Sequence, residues 1–153
     1  MTGGLILREF SPTDPTRITP RPDFAREHDL SGQPLFRAQR PEGVAWTLCE
    51  GPARWAKPLA CGGLSPLGFG RWAAWLFAED LSPRGWVMVA RGFNGLKVET
   101  RARRIEATVR DGAPELTGGA CAFAERLGLS REGRMTGFGP DGADYWLFGG
   151  VFG

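Results

Sequence analysis

The sequence predicts an α/β domain built on a mixed sheet, and three observations carry that expectation. Short β-rich runs alternate with two segments whose apolar residues recur at helical spacing. The run from Arg71 to Glu79 holds Trp72, Trp75, Leu76 and Phe77 and is apolar on both faces, as a central strand must be. The chain closes on two apolar runs flanking Gly139-Pro140-Asp141-Gly142, a strong hairpin turn.

Taken in order, Leu5 to Phe10 is a short strand, broken by Ser11-Pro12-Thr13-Asp14-Pro15. Asp23 to Leu30, set between Pro22 and Gly32, reads as one short helix, and residues 33 to 43 carry no assignable pattern. Val44 to Glu50 and Lys57 to Leu64 are strands joined through Gly51-Pro52, a connection of hairpin length. The central strand at 71 to 79 follows. Ser82-Pro83 is a common helix entry, and Trp86, Val89, Ala90 and Phe93 then share one helix face for about three turns, with Asn94-Gly95 as the expected end.

Arg104 to Arg110 has the clearest strand pattern. Ile105, Ala107 and Val109 point one way, while Arg104, Glu106, Thr108 and Arg110 point the other. Asp111 then caps a helix with Pro114 and Glu115 in its first turn and Leu116, Ala120, Phe123, Ala124 and Leu127 on one face; Gly128 stops it. Arg131 to Phe138 and Ala143 to Val151 form the terminal hairpin.

The chain has 153 residues, 42% of them apolar, with no internal repeat and no linker-like stretch, so a single domain over residues 1–153 is expected. Nineteen basic and 17 acidic residues leave a net charge of +2, too little for general nucleic-acid binding. Only Lys57 and Lys97 are lysines, which reads first as coding bias. The longest apolar run, Trp72 to Ala78, is far below the ~20 residues that span a bilayer, and the start lacks a leader pattern. No membrane partner and a cytoplasmic location are expected. Cys49, Cys61 and Cys121 form no Cys-x-x-Cys pair, and the single His28 lies far from all of them in sequence, so neither a metal site nor a Cys–His nucleophile is supported. Phosphate-loop and dinucleotide fingerprints are missing.

Three fragments in order carry a resemblance. They are Arg104-Ile105-Glu106-Ala107-Thr108-Val109; then Phe123-Ala124-Glu125-Arg126-Leu127-Gly128-Leu129 with Arg131-Glu132-Gly133-Arg134-Met135; then Gly139-Pro140-Asp141-Gly142. Over roughly residues 44 to 151 the chain resembles the GNAT-fold N-acetyltransferases, in the style of GNAT-related proteins of phages and prophages. The resemblance implies a mostly antiparallel sheet of six to seven strands flanked by helices, acetyl-CoA as acyl donor and an amine acceptor. The Leu-Gly-Phe-like triplet and Arg-x-Glu-Gly strand of that family have Leu127-Gly128-Leu129 and Arg131-Glu132-Gly133 in their places.

The resemblance also implies where the chemistry would sit. Backbone from Leu76, Phe77 and Ala78 to Asp80 would hold the pantetheine, and Arg84 and Gly85 would receive the pyrophosphate at a helix start. The family pattern there is degenerate: the stretch from Glu79 to Met88 offers one Arg and one Gly, Glu79 and Asp80 place negative charge nearby, and bulky Trp86 stands where backbone should approach closely. The family's proton-donating Tyr is replaced by Ala124. Tyr145, the only tyrosine, reads as a packing residue, and Cys121 as a small buried one. Glu79 is the remaining candidate general base, with Glu106 and Thr108 on the polar side of the next strand.

Two functions therefore stand side by side. One is an N-acyltransferase moving acetyl from CoA to an amine. The other is a fold that has lost the reaction and serves as a structural or binding part of a phage particle, with other virion proteins as partners; six Trp and ten Phe motivate it. A homo-oligomer is compatible with both.

Overall fold

The structure, a computed structural model, describes residues 4–19, 43–52, 56–112, 119–139 and 141–153. Seven strands form one sheet in the order β1-β2-β3-β4-β5-β7-β6: β1 Leu5–Glu9, β2 Val44–Glu50, β3 Lys57–Gly68, β4 Arg71–Ala78, β5 Arg104–Arg110, β6 Ser130–Met135 and β7 Tyr145–Val151. Every neighbouring pair is antiparallel except β4 and β5, which run parallel. Helix α1, Pro83–Thr100, crosses between those two, as a parallel pair requires. A 3₁₀ turn at Asp14–Arg17 and a short helix α2, Ala120–Arg126, complete the described elements.

Both helices share one core with the sheet face beneath them, which includes Trp46, Leu48, Leu64, Val89, Phe93, Ile105, Ala124 and Phe148. A smaller cluster of Ile18, Cys61 and Phe77, flanked by Phe10 and Trp75, occupies the second face. The Gly62-Gly63 dipeptide of β3 lets an indole approach on each side. A Cβ on Gly62 would lie 2.7 Å from the Trp46 ring, and one on Gly63 would lie 2.8 Å from Trp75 Nε1. Gly92 of α1 is the matching gap above, where a Cβ would sit 2.6 Å from Trp46. The helix thus rests directly on the Trp46 indole, and Phe93 closes edge-on at 5.3 Å.

Several expectations are corrected. Helix α1 does not stop at Asn94-Gly95 but runs to Thr100, because Leu96 continues the buried stripe of Val89 and Phe93 and one exposed Gly does not outweigh that burial. It ends at Arg101, in the left-handed conformation (φ 53), whose N–H and that of Ala102 take up the Val98 and Lys97 carbonyls. With no Gly there, sequence carries no stop signal. Of the helix expected after Asp111, α2 is described only from Ala120, after Gly119 (φ 76), and residues 113–118, which Asp111 would cap, lie outside the described residues; the Asp111 N–H pairs with the Asp144 carbonyl beside β7. Strand β3 extends past Leu64 to Gly68 because β4 pairs along it as far as Gly68. The expected helix at 23–30, with His28, lies outside the described residues, as do Pro114, Glu115, Leu116 and Pro140. No described helix is long and apolar enough to cross a membrane.

Candidate active site

The central feature is a split sheet. Strands β4 and β5 pair only through Arg71↔Arg104, Trp72↔Ile105 and Ala73↔Glu106, all at their N-terminal ends. From Ala74 onward β4 keeps β3 on one side and, among the described residues, has no strand on the other, so alternate peptide groups between Ala74 and Ala78 face a gap in mid-sheet. Beyond the gap, β5 pairs β7 along its whole length, from Arg104 to Arg110.

The apex is fixed by charge. Glu106 accepts from Arg104 Nε at 2.8 Å and Arg71 Nη2 at 3.0 Å, and Arg104 reaches across β7 to Glu132, with Nη1–Oε1 at 2.8 Å. Gly149 lies beneath that reach, since any Cβ there would meet the Glu132 carboxylate and the Arg104 guanidinium. The Arg104 bond, aided by Arg71, holds the Glu106 carboxyl below the usual carboxylate range although burial opposes it. Glu106 is therefore a salt-bridge anchor rather than a poised base, and Thr108, exposed, lies further along the same face. At the far end of β5, Arg110 is bound by Asp141 of the β6–β7 loop, Nη2–Oδ2 at 2.5 Å.

The residues assigned from sequence follow one another along the free stretch of β4 and into α1. Leu76 and Ala78 face the helices, and Phe77 faces the second cluster. Glu79 continues the strand, its N–H donating to the Leu59 carbonyl at 3.0 Å, and its side chain follows Phe77 to the second face. There Lys57 Nζ stands 3.3 Å from both carboxylate oxygens and the Thr19 N–H donates at 3.3 Å. Asp80 and Arg84 are exposed, while Gly85 is buried.

The start of α1 is capped by its own residues. Ser82 is the N-cap and its hydroxyl accepts the Gly85 N–H at 3.2 Å; Pro83 has no N–H, and the Trp86 N–H donates to the Ser82 carbonyl. A Cβ on Gly85 would meet Leu81 Cβ at 3.1 Å, so this glycine serves the packing of its own turn. Trp86 meets Phe123 of α2 with ring centroids 4.9 Å apart, which joins the two helices that follow β4 and β5. Sequence reading missed that contact, for the two residues lie on separate helices with no shared pattern. The Ser82 hydroxyl was legible in Ser-Pro at a helix entry.

Cys49 and Cys61 are buried, whereas Cys121, expected to be buried, is half-buried. Burial pushes Cys61 up to about 12 and raises Cys49 and Cys121 as well. Tyr145 is buried, 5.4 Å from the Phe138 ring. Among the described residues no group of three His, Cys, Asp or Glu stands together as a metal site.

Neither a protein-family model nor the sequence of a curated protein matches the chain. Solved structures do. A protein provisionally assigned as a phosphinothricin N-acetyltransferase superposes with a TM-score of 0.72 at 9% identity, over 98% of this chain and 99% of that one. The ribosomal-protein-S18-alanine N-acetyltransferase from Escherichia coli gives 0.63 at 14% identity, covering 97% and 94%. The ribosomal-protein-alanine N-acetyltransferase from Brucella melitensis gives 0.65 at 8%, covering 96% and 99%. Identities this low speak to architecture, and with the parallel, split β4–β5 pair they establish that the chain has the GNAT N-acetyltransferase fold.

Proposed function

We propose that the chain is an N-acyltransferase that moves an acyl group, such as the acetyl of acetyl-CoA, from a thioester to an amine. The single observation that carries this reading is the free edge of β4. Among the described residues the peptide groups of Ala74, Leu76 and Ala78, which point away from β3, meet no strand, and an extended, amide-bearing ligand such as a pantetheine arm suits that edge. The likeness to N-acetyltransferase structures supports the same reading.

When bound, the thioester supplies an acyl carbon whose C–S bond breaks as the C–N bond to the amine forms, the amine losing a proton and the thiolate gaining one. The residues present divide that task. Peptide groups at Leu76 and Ala78 hold and orient the arm along the strand edge, while those of Phe77, between them, face β3. Glu79, next along the strand, receives the proton of the attacking amine, directly or through water, while Lys57 keeps its carboxylate in place at 3.3 Å.

Thiol release followed with acetyl-CoA and a panel of primary amines tests the reading. Acetyl-CoA-dependent turnover with at least one amine is expected, and a chain that neither binds nor cleaves acetyl-CoA at millimolar concentration overturns it. Glu79→Gln is expected to lower kcat by about 10²-fold with donor affinity unchanged. An unaltered kcat would make Glu79 only a tie between β4, Lys57 and Thr19.

One observation favours the second reading, a non-catalytic part of a larger assembly such as a phage particle. Phe69, at the β3–β4 hairpin tip, is 90% exposed and holds a left-handed backbone (φ 56), with its carbonyl gripped by Arg103 Nη2 at 2.7 Å. A strained, presented aromatic of this kind suits an anchor in a partner. Co-purification of a stable assembly that Phe69→Ser abolishes, in a chain without turnover, would select this reading over the enzyme.

A further inference from the structure

We propose that the chain associates with copies of itself, the β3–β4 hairpin tip of one copy seating in a groove of the next. Both features lie toward the end of the sheet remote from Glu79. The groove, of about 650 Å³, runs between the β1–β2 edge and the second half of α1. Leu7, Val44 and Leu96 give it apolar walls, and Glu9 and Glu99 line it where β1 and α1 end. Both carboxylates are exposed and, among the described residues, form no ion pair. Arg91, the one cation of α1 on this groove, stands about two turns back from Glu99. Gly95 opens onto the groove: beyond its own helix, no atom lies within 4 Å of where its Cβ would be. Gly92 is needed for the Trp46 indole, but nothing within the described residues requires a glycine at 95, where the helix would gain from a side chain. Close approach of another molecule accounts for it.

The hairpin tip is the complement. Phe69 and Leu67 are exposed, and the Phe69 ring is presented at a fixed place by a left-handed backbone whose carbonyl accepts from Arg103 Nη2 at 2.7 Å. The N–H groups of Arg103 and Arg104 both donate to the Gly70 carbonyl, which ties the basic segment 101–104 to the tip. Arg101 and Arg103 are exposed, and among the described residues neither meets a carboxylate. An aromatic ring beside two arginines thus matches an apolar groove beside two unpaired carboxylates, and a second copy of the chain supplies both halves. Copies related by a two-fold axis use both tips and close as a dimer, whereas any other relation passes each tip to the next groove. Glu79 and the free edge of β4 lie away from this contact, so the proposal stands independently of the acyltransferase reading.

Sedimentation velocity of the full chain, from about 1 μM to about 500 μM, tests it. Species of two or more chains are expected at the upper concentrations, and salt should weaken them by screening the Arg–Glu pairs. Phe69→Ser removes the ring, and Gly95→Leu fills the groove from a position with open space around it; each should weaken association at least about ten-fold. Mixed one to one, the two variants should recover a complex, because Gly95→Leu keeps the tip and Phe69→Ser keeps the groove. That recovery also shows both variants to be folded. A parent that stays monomeric throughout overturns the proposal, as does association that neither variant weakens. A mixture that remains monomeric at concentrations where the parent associates overturns the seating of tip in groove.

Discussion

Replacing Trp46 by Ala is expected to lower the unfolding free energy by about 3–5 kcal/mol, a large part of what a domain of this size possesses. The indole is 5% exposed and is the surface on which α1 rests, with Gly62 below it, Gly92 above and Phe93 at its edge. No neighbouring side chain can swing into the hole from above or below, because the two glycines that make the room have none. Urea denaturation gives the magnitude, and a double-mutant cycle gives the cause. In the parent, Gly92→Ala puts a methyl 2.6 Å from the indole and should cost about 1–3 kcal/mol. In the Trp46→Ala background the same change should become neutral or stabilising by up to about 1 kcal/mol, since Ala favours helix over Gly. Additive effects would mean that α1 is not seated on Trp46.

Asp14→Ala is expected to cost about 3 kcal/mol. Its carboxylate is 2% exposed and accepts two bonds from the Arg8 guanidinium at 2.7 and 2.9 Å, one from the Thr47 hydroxyl at 2.6 Å and one from the Ser11 N–H at 2.8 Å. It thereby ties β1, the 3₁₀ turn and β2 together on the second face. Removal strands a buried Thr47 hydroxyl and leaves Arg8 without its partner, though Arg8 is one-third exposed and water recovers part of the loss. The same group sets an acid limit. Burial pushes the Asp14 carboxyl up, but the bonds from Arg8, Thr47 and Ser11 more than offset it and leave it below the ordinary carboxylate value. Its contribution is complete above the unfolded-chain value near pH ~4 and is lost as pH falls through the lower, folded value. Between pH 7 and pH 3, chemical denaturation should show a smaller loss of stability for Asp14→Ala than for the parent; equal losses would contradict the assignment.

Much of the fold was legible because its signals are local. The alternation in Arg104 to Arg110, the doubly apolar Arg71 to Glu79 and the Gly128 stop each follow from one stretch of chain and one rule of periodicity. Errors fell where distant contacts outweigh local preference. Asn94-Gly95 is a good stop in isolation and is overridden by Leu96. The candidate site divides in the same way. Leu76, Phe77 and Ala78 could be placed on a strand and Arg84 and Gly85 on a helix start, since each lies within one element. That the Ser82 hydroxyl takes the Gly85 N–H, that Trp86 turns to Phe123, and that Lys57 reaches Glu79 depend on side-chain direction and on strand register, which single-sequence patterns do not encode.

The three-rung stitch between β4 and β5 has a consequence for motion. Amides in the middle of a sheet are ordinarily among the last to take up deuterium, yet those on the open side of Ala74 to Ala78 have no ladder to melt first. They should exchange early in the isolated protein and slowly once an extended ligand lies along them.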